Sequence, residues 1–335
     1  MASLDPKTKS TYATTDWVHY RQGRPSYPKS LTDIIYTYRR RHPNTCWTRL
    51  VDIGAGSGVA STSFLPDFKI IHISDPSSSN TEQSRSFLPN WAEKHGIQDV
   101  QFEYSEATGE EAYLKTGEGE ADLAICATAA HFIEPDGLVE SIARMLRKGG
   151  TLAVFSYWMP NFPGRSRKFH DIFSKTWDDL VLKPLQENDG GEDLSNTRLA
   201  KVVERRMSGN GVLDSVPLPE ELFEDATRVY INARSGKIAM TDLFAKYKPR
   251  NISRVKEGEK IVHYETGKDK EAEGWEFEVD GKWLRNFVNT IRPNKIEGDE
   301  AEEAFAEWET AIKEECPDGT FKVLWPAYLV LATRK

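Results

Sequence analysis

The stretch LVDIGAGSGVAS, Leu50–Ser61, decides the fold. An apolar run carrying one acid, Leu50-Val51-Asp52-Ile53, leads directly into glycines at alternate positions, Gly54, Gly56 and Gly58. A short apolar run closed by glycine predicts a buried strand and then a tight turn. Glycines at that turn let backbone N–H groups approach a ligand with no Cβ in the way. The pattern predicts a nucleotide site at the end of a first strand.

Reading outward, FKIIHISD (Phe68–Asp75) is a second strand. It ends in Asp75, an acid placed to accept hydrogen bonds from ribose hydroxyls. Val100–Tyr104 predicts a third strand, ADLAICAT (Ala121–Thr128) a fourth and TLAVFSY (Thr151–Tyr157) a fifth. Helical spacing appears at Ser30–Arg41, more weakly after the glycines, and in GLVESIARMLRKGG (Gly137–Gly150), whose glycines predict a C-terminal cap. Alternating strands and helices predict an α/β fold with a parallel, doubly wound sheet. Beyond Tyr157 the pattern turns helical and aromatic as far as about 211. Asp225–Asn232 is a sixth strand, Glu276–Ile291 reads as strand, turn and helix, and Phe321–Lys335 supplies a last strand. The expected divisions are an N-terminal lid and core at 1–157, a helical cap at 158–224, and remaining core strands at 225–335. The last of these carries a charged hairpin or flap at about 238–274.

Composition narrows the function. Of 335 residues, 39% are hydrophobic and 29% charged, which suits a globular chain. A net charge of −8 lacks the positive footprint of a nucleic-acid binder. No apolar run reaches the roughly 18–20 residues of a membrane span, and no secretory pattern opens the chain, so cytoplasm is the expected compartment. Cys46, Cys126 and Cys316 are too scattered for a disulfide framework or a CxxC metal site, and no metal is expected. The basic run Tyr38–Pro43, YRRRHP, is read as the solvated end of a helix.

A dinucleotide fingerprint needs glycine at the sixth position of the turn, where Val59 stands, and no Walker lysine follows. The remaining pattern, an acid before G-x-G-x-G, resembles motif I of class I S-adenosylmethionine (SAM)-dependent methyltransferases. YRQGRPSYP (Tyr20–Pro28), ATAAHFIE (Ala127–Glu134) and LRKGGTLAVFSY (Leu146–Tyr157) extend the likeness, and the chain resembles the fungal trans-aconitate methyltransferase family. That resemblance implies a Rossmann-like, seven-stranded sheet, SAM as cofactor, and a small-molecule acceptor, often a carboxylic acid. Detoxification and secondary metabolism are the settings it implies. The chain departs from the family at Thr128, at Phe132, and in the cap, where only Arg198 stands near the usual Gly-Arg.

The resemblance implies cofactor contacts from Tyr20, Arg24, Asp52, Gly54, Ala55, Gly56, Gly58, Asp75, Pro76, Glu106, Ala107, Ala127 and Thr128. Trp17, Tyr157, Trp158, Arg198 and Arg292 are the candidate acceptor contacts, with Arg165 and Arg167 as further candidate anion clamps. His131, just past the fourth strand, is the candidate catalytic base, its free pKa of about 6.5 suiting proton transfer. A hydroxyl acceptor would need such a base; a carboxylate would not. Two other functions stay open on sequence alone: a SAM-binding protein that catalyses a rearrangement, and a regulator without turnover.

Overall fold

The computed structural model describes residues 12, 15–42, 45–183, 198–233, 250–291 and 298–335. Its ten strands are β1 (Arg49–Ile53), β2 (Ile70–Asp75), β3 (Gln101–Glu106), β4 (Ala121–Ala127), β5 (Leu146–Tyr157), β6 (Phe223–Ile231), β7 (Lys260–Tyr264), β8 (Glu276–Asp280), β9 (Thr320–Leu324) and β10 (Ala327–Arg334). Eight form one sheet in the order β3-β2-β1-β4-β5-β10-β6-β7, while β8 and β9 make a separate antiparallel pair. From β1 to β5 every pairing is parallel, and β10 runs antiparallel between β5 and β6. The chain leaves β1 in one direction for β2 and β3, then returns to its other side with β4. That reversal opens a crevice at the carboxyl end of β1, where open α/β sheets bind ligands. Leu50–Ile53, Ile71–Asp75 and Ala121–Cys126 are buried throughout, as strands covered on both faces are, and they are mainly apolar, with Asp52, His72, Ser74, Asp75 and Asp122 as buried polar exceptions.

The sheet has eight strands where seven were expected, and the addition is β7. It lies inside the segment read as a solvent-facing hairpin, yet it pairs in parallel with β6 from Thr227↔Lys260 to Ile231↔Tyr264. Charged composition suggested exposure, and the edge position meets both demands: one side paired, the other open to water. Arg228 on β6 and Glu259 just before β7 form an ion pair whose side chains are only 1% and 4% exposed. Arg228 also donates to the carbonyls of Leu213 (3.2 Å) and Val216 (2.9 Å).

Four other expectations change. The stretch after the glycines forms only a 3₁₀ turn, Ala60–Ser63, since Ser61-Thr62-Ser63 and Pro66 disfavour a longer helix. The helix expected to run to Gly150 is Pro135–Met145, and Leu146–Gly150 already belong to β5, with a register shift before Leu123↔Thr151. The single last strand divides at Pro326, which has no N–H to donate, into β9 and β10. The basic helix end is not wholly solvated. Arg39 is 1% exposed and donates to the carbonyls of Asp122 (2.5 Å) and Cys46 (2.7 Å).

The region after β5 carries helices Arg167–Trp177 and Arg198–Arg206. Phe162, Phe169 and Phe173 pack there against Phe321 and Trp308. Trp308 lies on a further helix, Asp299–Glu315, which sequence reasoning missed among its acids. Ala301, Phe305, Trp308 and Ile312 recur at helical spacing and are all buried, so the signal was present.

Candidate cofactor and acceptor site

The glycine turn is stitched to the end of β2. Gly54 and Ala55 donate their N–H groups to the Ser74 carbonyl at 2.8 and 3.2 Å. Gly56 donates to Asp75 Oδ2 at 2.9 Å, and Asp75 Oδ1 accepts from Ser77 N (2.9 Å) and Asn80 Nδ2 (3.0 Å). Only glycine suits two of these positions. Gly54 has φ +66° and a Cβ there would lie 2.7 Å from Ala129 Cβ, while Gly56 has φ +57° and a Cβ there would lie 2.4 Å from Trp17 Cη2. Beneath the turn, Asp52 is fully buried and takes the Ser61 hydroxyl at 2.7 Å on Oδ2, while its Oδ1 and Ser57 Oγ have no partner. Burial pushes the Asp52 carboxyl up to about 7 and also raises Asp75.

These residues fit a nucleoside cofactor. A carboxylate has about four acceptor positions, and Asp75 spends three on the protein, leaving capacity for ribose. The cradle admits backbone approach, and two orphaned polar atoms lie under it. They fit a pyrophosphate poorly, because no long helix begins at the turn to present its N-terminus.

The N-terminal segment covers this cradle. Asp16 caps helix Trp17–Gly23, accepting from Val18 N and His19 N. Trp17 is buried against Gly56, and its indole N–H donates to Asn80 Oδ1 at 3.1 Å. Tyr20 lies 4.8 Å from Trp17 by ring centroids, and the Arg24 guanidinium sits 4.7 Å from the Tyr20 ring centroid. Arg24 donates to Tyr157 Oη (3.3 Å) and to the Thr290 carbonyl (3.0 Å). Tyr27 and Thr128 share a hydroxyl–hydroxyl bond of 2.9 Å. Thr128 itself has φ +54°, a costly backbone for a β-branched residue, at the tip of β4.

His131 is buried in a short 3₁₀ turn after β4. Arg206 Nη2 lies 3.0 Å from its Nδ1 and 2.9 Å from its Nε2, and Arg205 donates to its carbonyl at 3.2 Å. Burial and then the nearby charges of Arg206, Arg205 and Arg24 hold the imidazole well below its usual pKa. The ring is therefore neutral at pH 7 and accepts, rather than donates, toward Arg206. Arg206 also faces the Trp158 ring at 5.1 Å. Sequence reasoning did not single out Arg206, because Arg205-Arg206 at a helix end looks like any basic last turn. Tyr12 and Phe132 were also missed; their rings meet at 5.9 Å beside Trp17 and Tyr20.

The other candidates separate. Asp75 and Glu106 are register partners, and Ala107 N donates to the Asp75 carbonyl at 3.3 Å, which places both residues and Pro76 at the cradle's edge. Glu106 also lines an open cleft of about 400 Å³ with Tyr104, Arg85 and Lys115. Ala127 closes β4 beside Phe155. Arg165 is tied to the Glu315 carbonyl (2.5 Å) and Arg167 to Asp171 at the surface, so neither reaches this site. Arg292 lies outside the described residues, and so does the side chain of Arg198, whose backbone opens helix Arg198–Arg206. Among the described residues no cluster of His, Cys, Asp or Glu is placed to hold a metal ion, and no helix is long and apolar enough to cross a membrane.

The depressed His131 pKa has a stability consequence. In the unfolded chain the ring takes its proton near pH 6.5, while the folded state resists it, so stability present above that pH is lost as pH falls below it. Asp52 works in the opposite sense: its raised folded pKa contributes stability below the unfolded carboxylate value that is lost as pH rises toward 7. His131→Gln isolates the first effect. The wild-type melting temperature should fall more steeply than the variant's between pH 7 and 5, and parallel curves would refute the assignment.

Comparisons with known proteins agree with this geometry. Residues 51–154 match the family model described as a methyltransferase domain. A protein of Claviceps purpurea named as a methyltransferase is 25% identical over 323 residues, covering 95% of this chain and 91% of its own. The methyltransferase tpcM of Aspergillus fumigatus is 27% identical over 328 residues, covering 95% and 91%. A Saccharomyces cerevisiae protein named "Probable S-adenosylmethionine-dependent methyltransferase CRG1" is 30% identical over 200 residues, covering 56% and 64%. The matched domain spans β1 to β5, the strands whose ends build the cradle. Methyl transfer from SAM is the chemistry these findings give the chain, built on a mainly parallel sheet with an added edge strand.

Proposed function

We propose that this chain methylates a carboxylate oxygen of a small molecule, as the resemblance to the trans-aconitate methyltransferase family implies. One observation carries the acceptor class: two arginines, Arg24 and Arg206, lie near His131, and among the described residues neither has a carboxylate partner. Arg is the residue suited to carboxylate recognition. The fungal names in the comparison support a setting in secondary metabolism.

Bound SAM would supply an activated methyl group on a sulfonium, and a carboxylate acceptor, already ionised, would have no proton to release. The protein's work is then to hold, orient and exclude water. Asp75, Gly56 and Asp52 would hold the nucleoside and amino ends of the cofactor, with Glu106 and Ala107 at its edge. Trp17 and Tyr20 cover the site, and exclusion of water strengthens each electrostatic contact within. Tyr157 and Trp158 wall the acceptor. His131, held neutral and facing guanidiniums, orients its neighbours and takes no proton.

Release of S-adenosylhomocysteine (SAH), measured against matched carboxylic acids and phenols, tests the proposal: acids should turn over and phenols of equal size should not. His131→Gln adds a second test. Loss of a general base costs about 10²–10⁴ in rate, whereas an orienting residue replaced by an amide should cost less than about ten-fold. Turnover of phenols alone, with a loss of 10² or more in the variant, would point to a hydroxyl acceptor.

A further inference from the structure

Arg205 and Arg206 are neighbours on one helix with opposite surroundings. Arg205 pairs with Glu134 at 2.7 Å. Arg206 turns inward, toward the phenols of Tyr12, Tyr157 and Tyr20 and a second cation, Arg24. Its contacts are the neutral His131 ring and the Trp158 face. Arg24 is in the same condition, with Nε buried and unpartnered. Both arginines, with Tyr12 and Tyr20, are half-buried, each keeping some accessible surface. An uncompensated cation in such a place is costly, and the cost is recovered when a ligand brings the anion.

We propose that Arg206 is the residue that selects an ionised carboxylate on the acceptor, held in place by His131 and Trp158. This rests on the carboxylate reading above and adds which cation reads the charge. Arg24, tied to Tyr157 and the Thr290 carbonyl on the N-terminal segment, has two of its donors already committed. Among the described residues Arg206 has none committed to a carbonyl or hydroxyl. Methylation removes the charge that Arg206 binds, so the ester product loses the contact that held the acid.

Benzoate and benzamide share shape and differ in charge. Their dissociation constants for the SAH-loaded protein, read by ligand-observed NMR, test the proposal. Wild type should bind benzoate at least ten-fold tighter than benzamide, and Arg206→Gln should reduce that preference to under two-fold with SAH affinity changed less than three-fold. A wild type without preference would sink the carboxylate reading itself. A wild type with preference that survives intact in Arg206→Gln would overturn the role of Arg206 alone. Should that variant not fold, Arg206→Lys decides, because one compact ammonium cannot replace a planar fork: a preference cut at least three-fold supports the proposal, and an unchanged one overturns it.

Discussion

Gly56→Val and Asp75→Ala are each expected to weaken SAM binding by at least about a hundred-fold, equivalent to roughly 2.7 kcal/mol. Valine at Gly56 must adopt φ +57° and push against the Trp17 ring, where its Cβ would sit 2.4 Å from Cη2. Either the turn rearranges or the covering helix is displaced. Alanine at Asp75 releases Gly56 N–H, Ser77 N–H and the Asn80 side chain together, since all three donate to that carboxylate. The glycine turn then loses its anchor as the ribose loses its acceptor. Calorimetric titration of both folded variants checks this. Affinity within a factor of three of wild type would show that the cofactor lies elsewhere.

Glu259→Gln should destabilise the fold by about 3–5 kcal/mol, because it leaves Arg228 buried and uncompensated. The paired change Arg228→Met with Glu259→Leu should recover much of that loss, since the double variant buries no charge. Chemical denaturation of the two variants beside wild type measures both numbers. A single-variant loss under about 1 kcal/mol would mean that β7 is only loosely attached to β6, against the pairing seen at Thr227–Ile231.

Much of this protein was legible because its core strands are covered on both faces. Leu50–Ile53 and Ala121–Cys126 are apolar but for Asp52 and Asp122, and such runs ending in glycine or in a small residue mark strand ends and the ligand crevice together. Asp75 was legible for the same reason, as an acid closing an apolar strand. Legibility failed where one residue type serves two environments. Charge in the segment at about 238–274 suggested a flap, yet an edge strand is also exposed on one side, and β7 met both patterns. Leu146–Gly150 carries a helix-ending signature and a strand's pairing, and β4 decided between them. Arg206 could not be told from Arg205 by sequence, since their difference is which way each side chain turns. Trp308 and its helix were legible in principle, through spacing that the surrounding acids obscured.

Calorimetry of the wild-type chain with SAM and, separately, with NAD tests the central claim most directly. The glycine–Asp75 cradle, with no glycine at Val59 and no long helix behind it, predicts one SAM bound per chain and no detectable NAD. Tight NAD binding with SAM silent would contradict it.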